Sequence, residues 1–201
     1  EQNNLMLIYR ILLSILFLPI LFMLILRSLR GEESWTHLKQ RFGLDFVEIK
    51  DEKPVLWFHA ASNGELKSAV PVIEKLVKSY SGITLLITSN TVSATHLAKD
   101  LGFKAQLAPL DYRWALKRFC IKHQVTRHIL MESEIWPNRI KFLHYRKSPI
   151  LILGGRISAA SARSWSWLKP LADTTFNKIS FLSAQDKSSL DRFKKLGLNA
   201  A

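Results

Sequence analysis

A chain of 201 residues has room for one sizeable domain with an appendage, and 48% of this one is hydrophobic. Its single cysteine, Cys120, excludes an internal disulfide and agrees with a reducing compartment, while six scattered histidines without CxxC or HExxH spacing leave a metal centre unsupported. The net charge is +13, and residues 51–201 hold 23 basic against 11 acidic side chains, so the body itself is basic; with no aromatic-basic RNA-binding signature, that charge points to anionic headgroups or a phosphorylated substrate rather than to nucleic acid.

From Leu5 to Leu26 the chain reads LMLIYRILLSILFLPILFMLIL, with Arg10 as the only charge before Arg27 and Arg30. About 20 apolar residues match the hydrocarbon thickness, so residues 1–30 are expected to form an N-terminal membrane-anchor helix that tolerates Pro19. The segment lacks a basic leader and a small-x-small site, which argues against a cleaved signal peptide. The run from Ile11 to Leu26 is short for a span, which keeps an interfacial helix as the competing expectation. Arg27 and Arg30 outnumber the charges ahead of the segment, placing the body in the cytoplasm by the positive-inside tendency.

Residues 31–53 read as a charged connector, with a short helix before the first strand. Apolar runs then predict strands near 55–58, 83–88, 104–107, 127–131, 149–153 and 179–184. Helical patterns near 66–80, 92–100, 113–123, 137–146, 161–172 and 187–196 separate them. Regular βα alternation over 54–201 implies an α/β, Rossmann-like parallel sheet with helices on both faces and right-handed crossovers.

Two polar runs follow strands. In His59-Ala60-Ala61-Ser62-Asn63-Gly64-Glu65 the turn and cap residues Ser62, Asn63 and Gly64 precede Glu65, which stands in the first turn of the next helix. A helix macrodipole accounts for a carboxylate there without catalysis, holding it ionised and weakening its basicity. At a strand end, however, His59, Ser62 and Glu65 share the corner where open sheets place their chemistry, and a carboxylate so placed serves as a general base. His59 reads equally as a satisfied core histidine. In Glu132-Ser133-Glu134-Ile135-Trp136-Pro137-Asn138, Pro137 suits the first position of a helix. The paired acids Glu132 and Glu134 have no such structural account, and mutual repulsion raises the pKa of one of them unless cations or donors stand near.

These runs, together with the anchor, Arg41-Phe42-Gly43, Pro109-Leu110-Asp111, Arg156-Ile157-Ser158 with Ser161, and Ala184-Gln185, carry a resemblance over nearly the whole chain. The sequence resembles the 3-deoxy-D-manno-oct-2-ulosonic acid (Kdo) transferases of lipopolysaccharide synthesis, whose patterns HxxSxGE and E-S/T-E-L-W-P-N match His59 to Glu65 and Glu132 to Asn138. The resemblance implies the N-terminal, acceptor-binding half of a two-domain GT-B glycosyltransferase, transferring Kdo from CMP-Kdo to a hydroxyl of the lipid A precursor with inversion, without a cofactor, at the cytoplasmic face of the bacterial inner membrane. It implies Glu65 as general base and Glu134 as a positioning or transition-state-stabilising group. His59, Ser62, Gly64, Glu132, Asn138, Arg156 and Ser158 are implied to bind acceptor or substrate. The family's donor-binding C-terminal half, expected shortly after Leu198, lies outside these residues, so the chain alone is expected to transfer nothing. The alternative is a truncated, membrane-tethered lipid-binding module. Where many relatives have Asn-Ala-Arg this chain has Gly154-Gly155-Arg156, which is expected to loosen the strand end.

Overall fold

The structure, a computed structural model, describes residues 2–50 and 53–199. Its centre is a six-stranded sheet in the order β3-β2-β1-β4-β5-β6, built from β1 (Val55–His59), β2 (Thr84–Ser89), β3 (Lys104–Leu107), β4 (Val125–Met131), β5 (Ile150–Gly155) and β6 (Phe181–Ala184). Every pairing is parallel. All five residues of β1 and all six of β2 are buried, as continuous apolar strands between two helical layers must be. On one face α4 (Asn63–Ser79) and α5 (Val92–Asp100) pack on Leu56, Phe58 and Ile87 through Leu66, Ala69, Ile73 and Ala98. On the other, α6 (Arg113–Lys122), α7 (Pro137–Tyr145), α9 (Lys169–Phe176) and α10 (Lys187–Lys195) enclose Trp57, Leu130 and Ile152 through Phe119, Leu143, Phe176 and Phe193. Cys120 lies in this second core, where burial pushes its thiol up to about 12.

The expected elements are found, with two corrections. The single helix expected over 161–172 is two, α8 (Ala159–Trp167) and α9, because Pro170, in the first turn of α9, has no N–H for the Ser166 carbonyl and its ring crowds that carbonyl. The expected single anchor helix is likewise α1 (Gln2–Ile15) and α2 (Phe17–Leu29), bent by 43°. Pro19, four residues after Ile15, has no N–H for that carbonyl and its ring crowds it, which breaks the helix between them. No single helix among the described residues is long and apolar enough to cross a membrane; only the bent pair together passes that test, on length and composition.

Nor do the two helices stand apart from the domain. Leu13, Phe17, Ile20 and Leu24, spaced by three and four residues, face Phe42, Tyr112 and Ala115. The Phe17 ring meets those of Tyr112 and Phe42 edge-on at 5.6 and 5.8 Å, and the Tyr112 hydroxyl donates to the Leu13 carbonyl at 2.9 Å.

The connector holds α3 (Trp35–Arg41), with Ser34 as its cap. Arg41 donates to both oxygens of buried Glu33, at 2.9 and 2.8 Å, and to the Asn90 carbonyl at 2.9 Å. The neighbouring Gln40 side chain accepts from the Leu107 N–H at 3.1 Å, covering the end of edge strand β3. Gly43 has φ +60°, and a Cβ there would stand 2.6 Å from the Ala115 carbonyl oxygen. Left-handed backbone costs a non-glycine residue about 1–2 kcal/mol before any clash, so Gly43→Ala is expected to destabilise the fold by more than about 2 kcal/mol in urea titration, whereas Gly31→Ala, left-handed but in open space, is expected to cost less.

Candidate functional site

The strand order turns at β1 and β4: chain connections from β1 move one way across the sheet and those from β4 the other, leaving a crevice past their carboxyl ends. His59 pairs in register with Leu130, so the loop after β1, ending in Glu65, and the loop after β4, carrying Glu132 and Glu134, emerge side by side.

Ser62 caps α4 by accepting from the Glu65 N–H at 3.3 Å. The Glu65 carboxylate folds back: Oε2 accepts from the Ala61 N–H at 2.8 Å, while Oε1 has only the Ser62 hydroxyl at 3.5 Å. Half-burial raises the Glu65 pKa above the ordinary carboxylate value, and the charges of Glu132 and Glu134 push the same way against the Ala61 amide. The carboxylate is therefore more basic than an ordinary one, where its place in a first helical turn alone predicts the reverse. Gly64 is exposed, and a Cβ there would meet the Ser62 hydroxyl at an ordinary 3.9 Å, so no steric requirement explains it.

Glu134 Oε2 accepts from Trp136 Nε1 at 2.7 Å. Glu132 has φ +54°, a left-handed conformation uncommon for a residue with a side chain and found where surrounding structure over-determines the backbone. At the end of β5 the pairing register shifts, with Gly154 at φ +62°, and a Cβ on Gly155 would stand 3.3 Å from Leu182. The glycine pair therefore makes a bulge and a close packing contact. Past it, exposed Arg156, with Ser158 and Ser161, lines a cavity of about 320 Å³ floored by Ser133, Ile135 and Trp165. Ser158 also caps α8, accepting from the Ser161 N–H at 3.0 Å. An apolar cavity of about 360 Å³ adjoins it, walled by Glu134, Trp136, Trp165, Leu168, Leu171 and, from α1, Tyr9.

Two expected site residues do not face the crevice. His59 is fully buried, its Nδ1 2.9 Å from the Thr88 hydroxyl, which is the core-histidine reading. Asn138 is buried too. Its N–H donates to Asp111 Oδ2 at 2.9 Å, its Nδ2 to the Asp111 carbonyl at 2.8 Å, and its Oδ1 accepts from Arg10 Nε at 3.0 Å. Sequence reasoning gave Asp111 no role and passed over Tyr9 and Arg139. One signal pointed to Asp111: a helix beginning Trp-Pro-Asn has no side chain of its own at the cap, so a remote acceptor must supply one. Arg139 is 2% exposed, over the Trp57 ring at 5.0 Å, and its charge lies among those of Asp111 and Glu134.

Residues 36–201 match the family described as 3-deoxy-D-manno-octulosonic-acid transferase (kdotransferase). A protein of Arabidopsis thaliana assigned as a mitochondrial 3-deoxy-D-manno-octulosonic acid transferase is 34% identical over 175 residues, covering 85% of this chain and 39% of the relative. The 3-deoxy-D-manno-octulosonic acid transferase of Chlamydia pneumoniae is 30% identical, covering 80% and 38% respectively. The chain thus spans about two fifths of the length of these relatives. Among solved structures, a Listeria monocytogenes chain assigned as a UDP-N-acetylglucosamine 2-epimerase superposes with a TM-score of 0.51 at 8% identity, over 73% of this chain and 43% of that one, a likeness of fold alone.

Beneath the crevice, burial lowers His59 well below the usual histidine range, His123 to about 4 and His128 to about 3, so all three are neutral in the fold. The unfolded chain takes up those protons near pH 6.5, so the stability they contribute is complete above that value and is lost as pH falls toward 4. Asp111, raised to about 6 by burial, and Glu65, raised by its half-burial, contribute in the opposite sense, but burial lowers His37 as well, so four histidines stand against two carboxylates. The urea midpoint is expected to fall between pH 7 and pH 5, and to fall less in His128→Asn.

Proposed function

The chain belongs to the 3-deoxy-D-manno-octulosonic-acid (Kdo) transferase family, and we propose that it is the acceptor-side, base-bearing half of such an enzyme of GT-B type, with CMP-Kdo as donor and the lipid A precursor as acceptor. The observation that carries this reading is the Glu65 carboxylate: raised in pKa by half-burial at the turn of strand order, with one oxygen held by the Ala61 amide at 2.8 Å and the other met by the Ser62 hydroxyl at 3.5 Å. A base of that kind takes the proton from an acceptor hydroxyl as its oxygen bonds to the anomeric carbon of Kdo and the bond to the CMP phosphate breaks, with inversion. Glu134, bonded by Trp136, and Glu132 lie near enough for their charges to act on Glu65 and suit a developing positive charge at that carbon. Arg156, Ser158 and Ser161 supply donors for a polar or phosphorylated part of the acceptor. The donor-binding half that this chemistry requires corresponds to the part of the relatives beyond the region matched here.

The lipid acceptor is met at a membrane that α1 and α2 lie on rather than cross. Their inward stripe packs on the domain, while Leu7, Ile11, Leu12, Leu18, Phe22 and Met23 are exposed on a chain of net charge +13. That is the arrangement of an interfacial amphipathic segment, here at the cytoplasmic face of the inner membrane.

In the complete enzyme, Glu65→Gln keeps the cap geometry and removes the base, so transfer is expected to fall by about 10² or more with little loss of stability. Near-normal turnover would overturn the assignment. Because only ionised Glu65 acts, the acid limb of kcat/KM is expected above the ordinary carboxylate value, with rate lost as pH falls through it. Glu132→Gln, by removing one of the charges that raise Glu65, is expected to move that limb to lower pH. In vesicle sedimentation, Leu18→Glu with Phe22→Glu is expected to weaken binding by about tenfold or more, and added salt to weaken it further on anionic lipid.

A further inference from the structure

Helix α7 starts in the protein interior without a cap of its own. Trp136 offers no acceptor, Pro137 has no N–H, and the next two residues, Asn138 and Arg139, are each 2% exposed, so their N–H groups have no water to turn to. Asp111, in the loop between β3 and α6, meets both: Oδ2 accepts from Asn138 N–H at 2.9 Å and Oδ1 from Arg139 N–H at 2.8 Å, while its carbonyl takes Asn138 Nδ2 at 2.8 Å. The clamp is closed from α1. The Tyr9 hydroxyl donates to Asp111 Oδ2 at 2.8 Å and Arg10 Nε to Asn138 Oδ1 at 3.0 Å, linking residues more than 100 positions apart in sequence.

The clamp holds the end of the loop that presents the paired acids. Glu134 is four residues before Asn138 and is bonded by Trp136, immediately before the clamped turn. Cavities lie on both sides of the Glu134–Trp136 pair, and α1 contributes to the walls of each: Tyr9 to one, Leu13 to a second of about 200 Å³ that Arg139 also lines. The position of Glu134 relative to Glu65 therefore follows from where α1 is seated.

We propose that Asp111, together with Tyr9 and Arg10 of α1, is a positioning unit for Glu134, which makes the N-terminal helix part of the catalytic crevice rather than a detachable tether. The inference rests on the transferase reading above. It assigns these residues no contact with substrate; they act through the 132–138 loop.

The test is a double-mutant cycle on the complete enzyme, with Tyr9→Phe and Trp136→Phe, two near-isosteric changes that leave Glu65, Glu132 and Glu134 in place. Tyr9→Phe is expected to lower kcat by about tenfold with donor KM changed by less than about twofold, at a temperature where melting curves show every variant folded. The double variant is expected to lose scarcely more than the worse single one, since both act on the same carboxylate. Unchanged kcat in Tyr9→Phe, or losses in kcat that simply multiply, would overturn the positioning role. Asp111→Asn is read by amide exchange at Asn138 and Arg139, which is expected to accelerate selectively; protection equal to wild type counts against the clamp. Failure of the transferase reading looks different: there Glu65→Gln retains turnover, whereas failure of this inference alone leaves Glu65→Gln inactive and Tyr9→Phe at full rate.

Discussion

All six strands run in the same direction, so each connection must cross a face of the sheet, and no face can be left to water. That constraint shapes the rest of the molecule. It demands the continuous apolar strands Val55–His59 and Thr84–Ser89, the two helical layers that cover them, and a place where successive crossovers part company. At that place the strand ends open between β1 and β4, and the polar loops that follow them collect there. The chemistry of the crevice is thus a by-product of closing the hydrophobic layers elsewhere.

What fills the crevice is an arrangement of charge held by burial. Glu65 gains basicity from desolvation and from two neighbouring carboxylates. Below it, His59 and His128 stay neutral because burial and the buried guanidinium of Arg139 both oppose a further positive charge. Arg139 is itself offset by Asp111 and Glu134 and by the face of Trp57. The Arg139 charge in turn holds the Asp111 carboxyl down against the burial that raises it.

The sheet was legible in the sequence because buried parallel strands are written as short unbroken apolar runs, and the helices between them because capping residues such as Ser62, Thr91 and Asp186 mark their starts. The N-terminal segment was misread for a physical reason: composition reports how apolar a helix is, and an interior stripe that packs on Phe42 and Tyr112 has the same composition as one that meets lipid. The break at Leu16 was written in Pro19, whose effect falls four residues upstream of itself. Of the site, the motifs mark the two loops that emerge side by side at the ends of β1 and β4. They did not separate His59 and Asn138, which serve the interior, from Glu65, which faces out, because burial is decided by elements distant in sequence. Asp111 was invisible as a partner for the same reason, its ligands lying in α1 and α7.

Glu132 holds a left-handed backbone that a glycine would adopt without steric cost. The strain is of the order of 1 kcal/mol, set against the carboxylate to which the proposed chemistry gives a part. Selection for thermal robustness alone would erode this position toward glycine, trading a functional group for a relaxed turn. A laboratory campaign that screens variants of this domain by melting temperature therefore carries a built-in bias against the carboxylate at this one residue, and retaining Glu132 as a fixed position keeps that bias out.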